Sequence, residues 1–178
     1  MEKKNILDLS RINVAEYKRI EKINLVVVLD NIRSFNNVGS VFRTSDAFLI
    51  EKIVLCGITA VPPHPDIHKT ALGAENSVEW CYYENTVDAI VALQQAGYYV
   101  YAVEQVKGST LLNDLSLNGQ NKYAVVLGNE VKGVQQQVVD KCDGCIEIPQ
   151  FGTKHSLNVS VTAGLVIWDM FKQLYGGC

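Results

Sequence analysis

Short runs of β-branched residues alternate with helical stripes along most of this 178-residue chain. The runs with the length and composition of strands are LVVVLD (25–30), KIVLC (52–56), VEWCYY (78–83), YYVYAVE (98–104), YAVVLG (123–128) and CIEIP (145–149). Apolar residues take a helical spacing at 37–49, 86–97, 131–142 and 157–175. Strands that alternate with helices form parallel sheets covered on both faces. The pattern therefore predicts an α/β fold, with a mostly parallel sheet covered by helices and no linker that divides it.

The composition supports one folded unit with no overall preference for nucleic acid. With 48% hydrophobic and 20% charged residues, the chain can bury a full core. Its net charge of -3 gives no global basic surface, so contact with a nucleic acid would need a local patch. The densest group of cations lies in residues 1–22 and comprises Lys3, Lys4, Arg11, Lys18, Arg19 and Lys22. Either an RNA-contacting segment or a solvated helix face explains this group.

Other features predict a cytoplasmic protein with reduced thiols. No apolar stretch follows the N-terminal MEKKNILDLS, and the longest apolar runs are strand-sized, so neither a signal peptide nor a membrane span is expected. Five cysteines spread through core-forming sequence favour free thiols. Cys142 and Cys145 have CxxC spacing but lack the two further ligands of a zinc site. The prolines around His64 and His68 predict a loop there.

Polar residues concentrate in three loops that follow predicted strands, which is where α/β sheets bind ligands. The first is NIRSFNNVGSVFRTSDAF (31–48), in which Asn36 or Asn37 is the expected N-cap of a helix. Arg43 falls opposite the apolar stripe of this helix, and its side chain is expected to lean toward the helix start. An arginine beside a helix N-terminus suits an anion, although a solvated arginine gives the same pattern.

The second loop is LGNEVKGV (127–134), and the third is IPQFGTKHSLNVS (148–160). The second lacks the pattern and lysine position of a Walker phosphate loop. In the third, Ser156 is expected to cap the last helix, with Asn158 in its first turn. Capping alone does not explain why three loops bring Asn, together with Arg, Glu or Ser, to one edge of the sheet.

Together these loops resemble the motifs of the SpoU/TrmH branch of the SPOUT RNA methyltransferases. The matching residues are Asn37 with Arg43 six positions later, Gly128-Asn129-Glu130 with Gly133, and Ile148-Pro149 with Ser156-Leu157-Asn158. The segment HKTALGAENSVEW (68–80) is also similar to the middle region of the family. Leu49 departs from the family at a position where many relatives have glycine. The resemblance extends from about residue 24 to residue 170.

This resemblance implies a SPOUT-type domain at 24–178 with a C-terminal deep trefoil knot, preceded by a short segment at 1–23 that is a candidate for RNA contact. It also implies a homodimer, an RNA substrate, and S-adenosylmethionine as the cofactor, without a metal or a membrane. The implied cofactor-binding residues are Leu127, Gly128, Ile148 and Leu157, largely through their backbone groups. Glycine at 128 is expected if a ligand approaches the backbone closely there.

The implied reaction is methyl transfer to a ribose 2′-hydroxyl, and the implied catalytic residues are Asn37, Arg43, Glu130, Ser156 and Asn158. Accounts of the family make the arginine at position 43 the general base. Lowering an arginine pKa from its ordinary, strongly basic value to near 7 would cost roughly 7 kcal/mol. A protonated Arg43 that binds the neighbouring phosphate and stabilises the alkoxide is therefore the better interpretation, with phosphate or water taking the proton. The other four residues would orient Arg43 and the ribose.

Several alternatives stay open. The sequence resembles members that act on tRNA, particularly on a D-loop guanosine, but rRNA is the alternative substrate. A related SPOUT protein could methylate a base nitrogen, and a non-catalytic RNA-binding module is a further possibility. A Rossmann-type methyltransferase is contradicted by LDNIRSF after the first strand, because no glycine-rich turn occurs there.

Overall fold

The computed structural model describes residues 12–175. The strands are β1 (Ile23–Asp30), β2 (Ile50–Cys56), β3 (Glu79–Tyr83), β4 (Tyr98–Val103), β5 (Thr110–Leu111), β6 (Lys122–Leu127) and β7 (Gly144–Glu147). The helices are α1 (Val14–Arg19), α2 (Phe35–Ala47), α3 (Pro65–Ala71), α4 (Thr86–Gln95), α5 (Gln136–Val139) and α6 (Val159–Leu174), with short 3₁₀ turns at Ala74–Asn76 and Leu112–Asp114.

The strands form one seven-stranded sheet in the order β3-β2-β1-β6-β4-β7-β5, and every pair is parallel. Both faces of this sheet are buried. In β1, the side chains of Leu25, Val27 and Leu29 belong to one core cluster, whereas Val26 and Val28 belong to the other. The apolar run LVVVLD is nearly continuous because a strand covered on both sides has no solvent face. The predicted α/β fold with a mostly parallel sheet is confirmed.

The six predicted strands are present, with ends that shift by two residues at most, but some helices differ. The helix predicted at 131–142 is wrong, since only Gln136–Val139 are helical. Two peptide hydrogen bonds between Asn129 and Gly133, of 3.1 and 2.8 Å, close a hairpin there instead. The loop predicted around His64 and His68 is also wrong. His64 caps α3, and Pro65 occupies the first helical position, where its missing N–H costs nothing.

Two predicted caps are replaced by neighbouring residues. Ser34, not Asn36 or Asn37, caps α2, and its hydroxyl accepts a hydrogen bond from the Asn37 N–H at 3.3 Å. Asn158, not Ser156, caps α6, and its Oδ1 accepts from the Ser160 N–H at 2.9 Å. Asn37 therefore lies in the first turn of α2, and Asn158 is the N-cap of α6. Both helices begin near the carboxyl edge of the sheet.

The last helix returns the chain to the middle of the sheet. After β7, on the far side of β4, α6 packs against α2, β1 and β6. The trefoil knot that the family resemblance implies stays a prediction. Among residues 12–175, no helix is both long and apolar enough to cross a bilayer.

Candidate functional site at the carboxyl edge of the sheet

The loops after β6, β4 and β7 enclose a cleft of about 670 Å³, called here the first cleft. These three strands are adjacent and parallel, so the loops that follow them meet at one edge. Seven of the nine residues predicted for the site line this cleft: Leu127, Gly128, Glu130, Ile148, Ser156, Leu157 and Asn158. Asn37 adjoins them through hydrogen bonds, and Arg43 is not among the lining residues.

Glu130 is the centre of the polar cluster beside this cleft. Its carboxylate accepts hydrogen bonds from the backbone N–H groups of Arg33 at 2.9 Å and Ser34 at 3.0 Å. The Asn37 side chain donates a third bond at 2.9 Å. A carboxylate that receives donors at the start of a helix also benefits from the helix dipole. Glu130 therefore fixes the beginning of α2 against the loop that follows β6.

The pKa of Glu130 reflects two opposed effects. Partial burial disfavours the charged carboxylate and raises the pKa, whereas the hydrogen bonds from Arg33, Asn37 and Ser34 favour the charged form. The hydrogen bonds prevail, and the pKa lies below its ordinary value of 4.5. Glu130 is thus an ionised carboxylate at neutral pH with its oxygens already occupied by donors.

Asn37 joins the first loop to the third. Its Oδ1 accepts a hydrogen bond of 3.2 Å from the Asn158 side chain, while its own amide donates to Glu130. Asn158 Oδ1 in turn accepts from the N–H and hydroxyl of Ser160, at 2.9 and 2.6 Å. This network orders the residues Glu130, Asn37 and Asn158 across three segments that are far apart in sequence.

Gly128 was predicted to allow the close approach of a ligand, and the structure shows a close approach of backbone from the same chain. A Cβ at this position would lie 2.2 Å from the backbone of Gly133 and Val134, which no side chain tolerates. The backbone that approaches Gly128 therefore belongs to the hairpin of the same chain. The packing of the hairpin at 129–133 is thus one reason for the glycine, and the close approach of a ligand stays a prediction.

Asn129 holds the same hairpin from within. Its Oδ1 accepts from the N–H groups of Val131 and Lys132, at 3.0 and 3.1 Å. Its amide donates to the carbonyl oxygen of Asn31 at 2.7 Å, which attaches the hairpin to the turn after β1. Asn129 thus has a structural role that explains its place beside Glu130 in the second motif.

Arg43 and Ser156 are less integrated than the other predicted residues. Both are exposed, and neither side chain makes a hydrogen bond with a residue in the 12–175 range. Arg43 lies on α2, away from the apolar side that Val38, Val41 and Phe42 bury. The exposed position matches the predicted helical geometry, and the catalytic role of Arg43 remains a prediction.

The loop after β4 also contributes to the first cleft, although the sequence did not predict it as part of the site. Glu104 lines the first cleft, and its two oxygens accept from the N–H groups of Val134 and Gln105, both at 2.9 Å. A Cβ at Gly133 would lie 2.1 Å from the Glu104 carboxylate. The Gln105 side chain donates to the His155 carbonyl at 3.0 Å. The available signal was the position of Glu104 at the end of YYVYAVE, on the same edge as the other loops.

Several peptide groups that line the first cleft have no hydrogen-bond partner among the described residues. Those of Gly128, Ile148 and Leu157 make no hydrogen bond to another protein group in the part of the chain that the structure describes. Within that part, no group of three His, Cys, Asp or Glu residues could hold a metal ion. Cys56, Cys81, Cys142 and Cys145 are free thiols. Besides these peptide groups, the polar lining of the first cleft includes carboxylates, amides, the His155 imidazole, the Ser156 hydroxyl and the Lys132 ammonium.

The fold is a parallel α/β domain with a cleft at the carboxyl edge of its sheet. The chain belongs to the SpoU rRNA Methylase family, whose model matches residues 24–168. This match confirms the resemblance seen in the three loops.

Known proteins with similar sequences and structures are consistent with membership of this family. An uncharacterised tRNA/rRNA methyltransferase from Borreliella burgdorferi is 30% identical over 162 residues, which are 91% of this chain and 70% of that protein. The TrmH/SpoU tRNA modifying enzyme from A. aeolicus superposes with a TM-score of 0.79 at 24% identity, covering 90% of this chain and 80% of that one. AviRb from Streptomyces viridochromogenes, a SpoU methyltransferase crystallised with AdoMet, gives a TM-score of 0.75 at 20% identity over 92% of this chain and 62% of that one.

The chain does not span the full length of all its relatives. It covers 63% of a Staphylococcus saprophyticus protein with which it shares 29% identity over 160 residues.

Proposed function

We propose that this chain is an RNA methyltransferase that uses S-adenosylmethionine (AdoMet) to methylate a ribose 2′-hydroxyl. The observation that carries the proposal is the hydrogen-bonded set Asn37, Glu130 and Asn158 beside the first cleft. These residues come from all three motifs of the resemblance. We also propose that residues 24–178 form the methyltransferase domain and that the chain functions as a homodimer.

The first cleft suits AdoMet in size and in its lining. A volume of about 670 Å³ lies in the range of roughly 300–1,000 Å³ that small-molecule sites occupy. The open peptide groups of Gly128, Ile148 and Leu157 can pair with the polar edge of a nucleoside. Glu104 and Glu147 add negative charge to the lining, which suits a ligand with sulfonium and ammonium cations. When bound, AdoMet supplies an electrophilic methyl group, so the protein has to prepare the nucleophile.

The residues around Glu130 are suited to positioning the ribose hydroxyl. Because Glu130 is charged and already accepts three hydrogen bonds, it is a poor proton acceptor and acts as a positioning residue for Asn37. Arg43 is assigned to the RNA phosphate and to the developing alkoxide, as a permanently charged donor. Ser156, with its exposed hydroxyl, is assigned to the ribose. Phosphate or water accepts the proton.

Nucleoside mass spectrometry tests the proposal directly. The purified chain is incubated with methyl-labelled AdoMet and with tRNA-sized RNA or rRNA from cells that lack this protein. The label is expected in a 2′-O-methylated nucleoside from the tRNA-sized fraction, because the motif sequences most resemble members that act on tRNA. Calorimetry is expected to show AdoMet binding without any added metal.

Each step has an outcome that would contradict it. Label on a base nitrogen would replace the ribose assignment with base methylation, and label only in rRNA would overturn the preference for tRNA. A chain that binds RNA but shows no heat with AdoMet or its demethylated product would be a binding module instead of an enzyme.

The proposed RNA contact at 1–23 is supported only in part by described residues. Lys18 and Arg19 are exposed in the last turn of α1. Lys22 is half-buried, and its ammonium donates to the carbonyl oxygens of Tyr17 and Ile20. The remaining predicted cations, Lys3, Lys4 and Arg11, lie outside the described residues.

A further inference from the structure

A second cleft of about 480 Å³ lies beside the first, between the turns that follow β1 and β2 and the hairpin that follows β6. Its lining residues are Asn31, Arg33, Ile58, Asn129, Val131, Lys132 and Gln135. Three of them, Asn129, Val131 and Lys132, also line the first cleft, so the hairpin at 129–133 is the wall between the two. Nothing in the proposed methyl transfer uses this second cleft.

The lining of the second cleft combines cations with apolar surface. Arg33 and Lys132 are exposed, and neither has an ion-pair partner within residues 12–175. The lining contains no carboxylate, although the chain as a whole carries a net charge of -3. Ile58 and Val131 are 66% and 75% exposed, so both present apolar surface to this cleft. This combination suits a ligand that presents both an anion and a flat apolar face.

The floor of the second cleft is fixed before any ligand binds. The Asn31 side chain accepts from the Ile58 N–H at 3.1 Å and donates to Asp30 at 2.8 Å. Asn129 is fully occupied by the hairpin and by the Asn31 carbonyl. Asn31 has a positive φ of 56°, and its Oδ1 would lie 2.2 Å from a Cβ at Gly57. These amides therefore hold the turns together, while Arg33, Lys132, Ile58 and Val131 face the ligand.

Arg33 connects the second cleft with the hydrogen-bonded residues Asn37, Glu130 and Asn158. Its N–H donates to Glu130 at 2.9 Å, while its side chain lines the second cleft. An RNA strand whose reactive ribose lies at Glu130 and Asn37 would therefore place an adjoining nucleotide within reach of Arg33. We infer that the second cleft binds a nucleotide next to the methylated one, with its phosphate at Arg33 and Lys132 and its base against Ile58 and Val131. This inference rests on the proposed function.

The test compares two double variants with a matched control. Arg33→Gln/Lys132→Gln removes the cations of the cleft, and Ile58→Ser/Val131→Ser removes its apolar surface. Lys122→Gln/Lys141→Gln removes the same charge at the opposite edge of the sheet, since Lys122 begins β6 and Lys141 precedes β7. The probe is tRNA-sized RNA from cells that lack this protein, followed by fluorescence anisotropy at several salt concentrations.

Both cleft variants are expected to weaken RNA binding by roughly 10-fold or more relative to the control. Only the cation variant should also reduce the salt dependence, by about 0.7 to 0.9 in the slope of log K against log salt per lost phosphate contact. Because Val131 and Lys132 also line the first cleft, AdoMet affinity is compared in the single variants Arg33→Gln and Ile58→Ser, whose residues line only the second cleft. Calorimetry should find it within about twofold of wild type in both. In these two single variants, the rate of methyl transfer at saturating RNA should be close to that of wild type, because the lost contacts are in ground-state binding.

RNA affinity equal to that of the Lys122→Gln/Lys141→Gln control would overturn the nucleotide site. Loss of AdoMet affinity in parallel with RNA affinity in Arg33→Gln or Ile58→Ser would also overturn it, because these substitutions would then act on the fold of the whole site. The proposed function fails separately, when wild-type protein binds RNA but transfers no methyl group. In that case, weaker RNA binding by the cleft variants would still support a nucleotide site.

Discussion

Arg43 and Glu130, which we propose act in one site, have side chains of opposite charge and differ in how the fold holds them. Three donors occupy the Glu130 carboxylate, whereas the Arg43 side chain has no hydrogen-bond partner in the described part of the chain. A residue whose bonding capacity is filled by the protein acts on the structure. One whose donors are open is available to a substrate.

For Arg43, we predict separate effects on cofactor binding and on chemistry. Arg43→Ala should leave AdoMet affinity within about twofold and lower methyl transfer by roughly 100-fold or more, the scale of losing one stabilising donor. Arg43→Lys keeps the charge but loses the two-pronged geometry, so it should also be severely impaired. Single-turnover transfer and calorimetry measure the two effects. A nearly active Arg43→Lys enzyme with its pH profile shifted to lower pH would favour a titrating base.

Glu130 should make stability depend on pH. Because its pKa is lower in the folded state, its contribution is present above the ordinary value of 4.5 and is lost as pH falls through the folded pKa. Glu130→Gln should therefore be less stable than wild type at pH 7, and the difference should shrink at about pH 3.5. Urea unfolding at both pH values measures this. Glu84→Gln, at an exposed carboxylate, is the control, and an equal pH effect there would refute the prediction.

At the scale of elements, the hairpin at 129–133 depends on a residue from another loop. Glu104 accepts from the Val134 N–H and packs against Gly133, whose φ is +66°. Glu104→Ala should weaken AdoMet binding about 10-fold, since it leaves the Val134 N–H unpaired and releases one wall of the first cleft. Calorimetry checks this. The exposed control Glu84→Ala should bind AdoMet as wild type does, and equal affinity in both variants would contradict the role of Glu104.

Two helix ends place leucine in the left-handed region. Leu72, at the end of α3, and Leu49, after α2, both have φ of 53°. Leu72 is 63% exposed, so Leu72→Asn should stabilise the protein by about 0.5–1 kcal/mol by relieving backbone strain. Leu49 packs against the core, so Leu49→Asn should show no gain. Chemical denaturation compares them, and destabilisation by Leu72→Asn would reject the strain argument.

Prediction from sequence succeeded where neighbouring residues determine the local structure. It failed where residues distant in the sequence determine it. The run LVVVLD identified β1, because burial on both faces is visible in the residues themselves. The apolar spacing at 131–142 predicted a helix, but Asn129, Gly133 and the distant Glu104 impose a hairpin on its first part. The cluster around Glu130 was predicted as a group, since parallel strand ends meet. Its individual bonds join residues more than 90 positions apart and could not be derived from spacing.

At the scale of the whole molecule, the outer face of α6 supports the proposed homodimer. Val161, Leu165 and Trp168 follow helical spacing on one side, and Trp168 is 48% exposed. Its ring lies beside Phe48 and Phe171, with centroid distances of 5.4 and 6.0 Å. A continuous apolar surface of this kind favours association with a partner.

Light scattering should therefore give twice the 19.7 kDa of one chain at micromolar concentration. Trp168→Glu should shift the mass toward the monomer, because it places a charge on the apolar face of α6. The chain offers a matched control in its other tryptophan, since Trp80 on β3 is 36% exposed. Trp80→Glu should stay dimeric. A wild-type monomer, or dissociation by both substitutions, would argue against an interface on α6.

The hairpin at 129–133 also has a thermodynamic consequence for the two ligands. Its residues line both clefts, and two peptide hydrogen bonds make it one small unit. If cofactor binding changes the position of this hairpin, RNA affinity changes as well. By thermodynamic linkage, the factor by which the cofactor changes RNA affinity equals the factor by which RNA changes cofactor affinity. The cofactor and the RNA would then act as heterotropic effectors of each other through the hairpin at 129–133. The sheet would not need a second conformation.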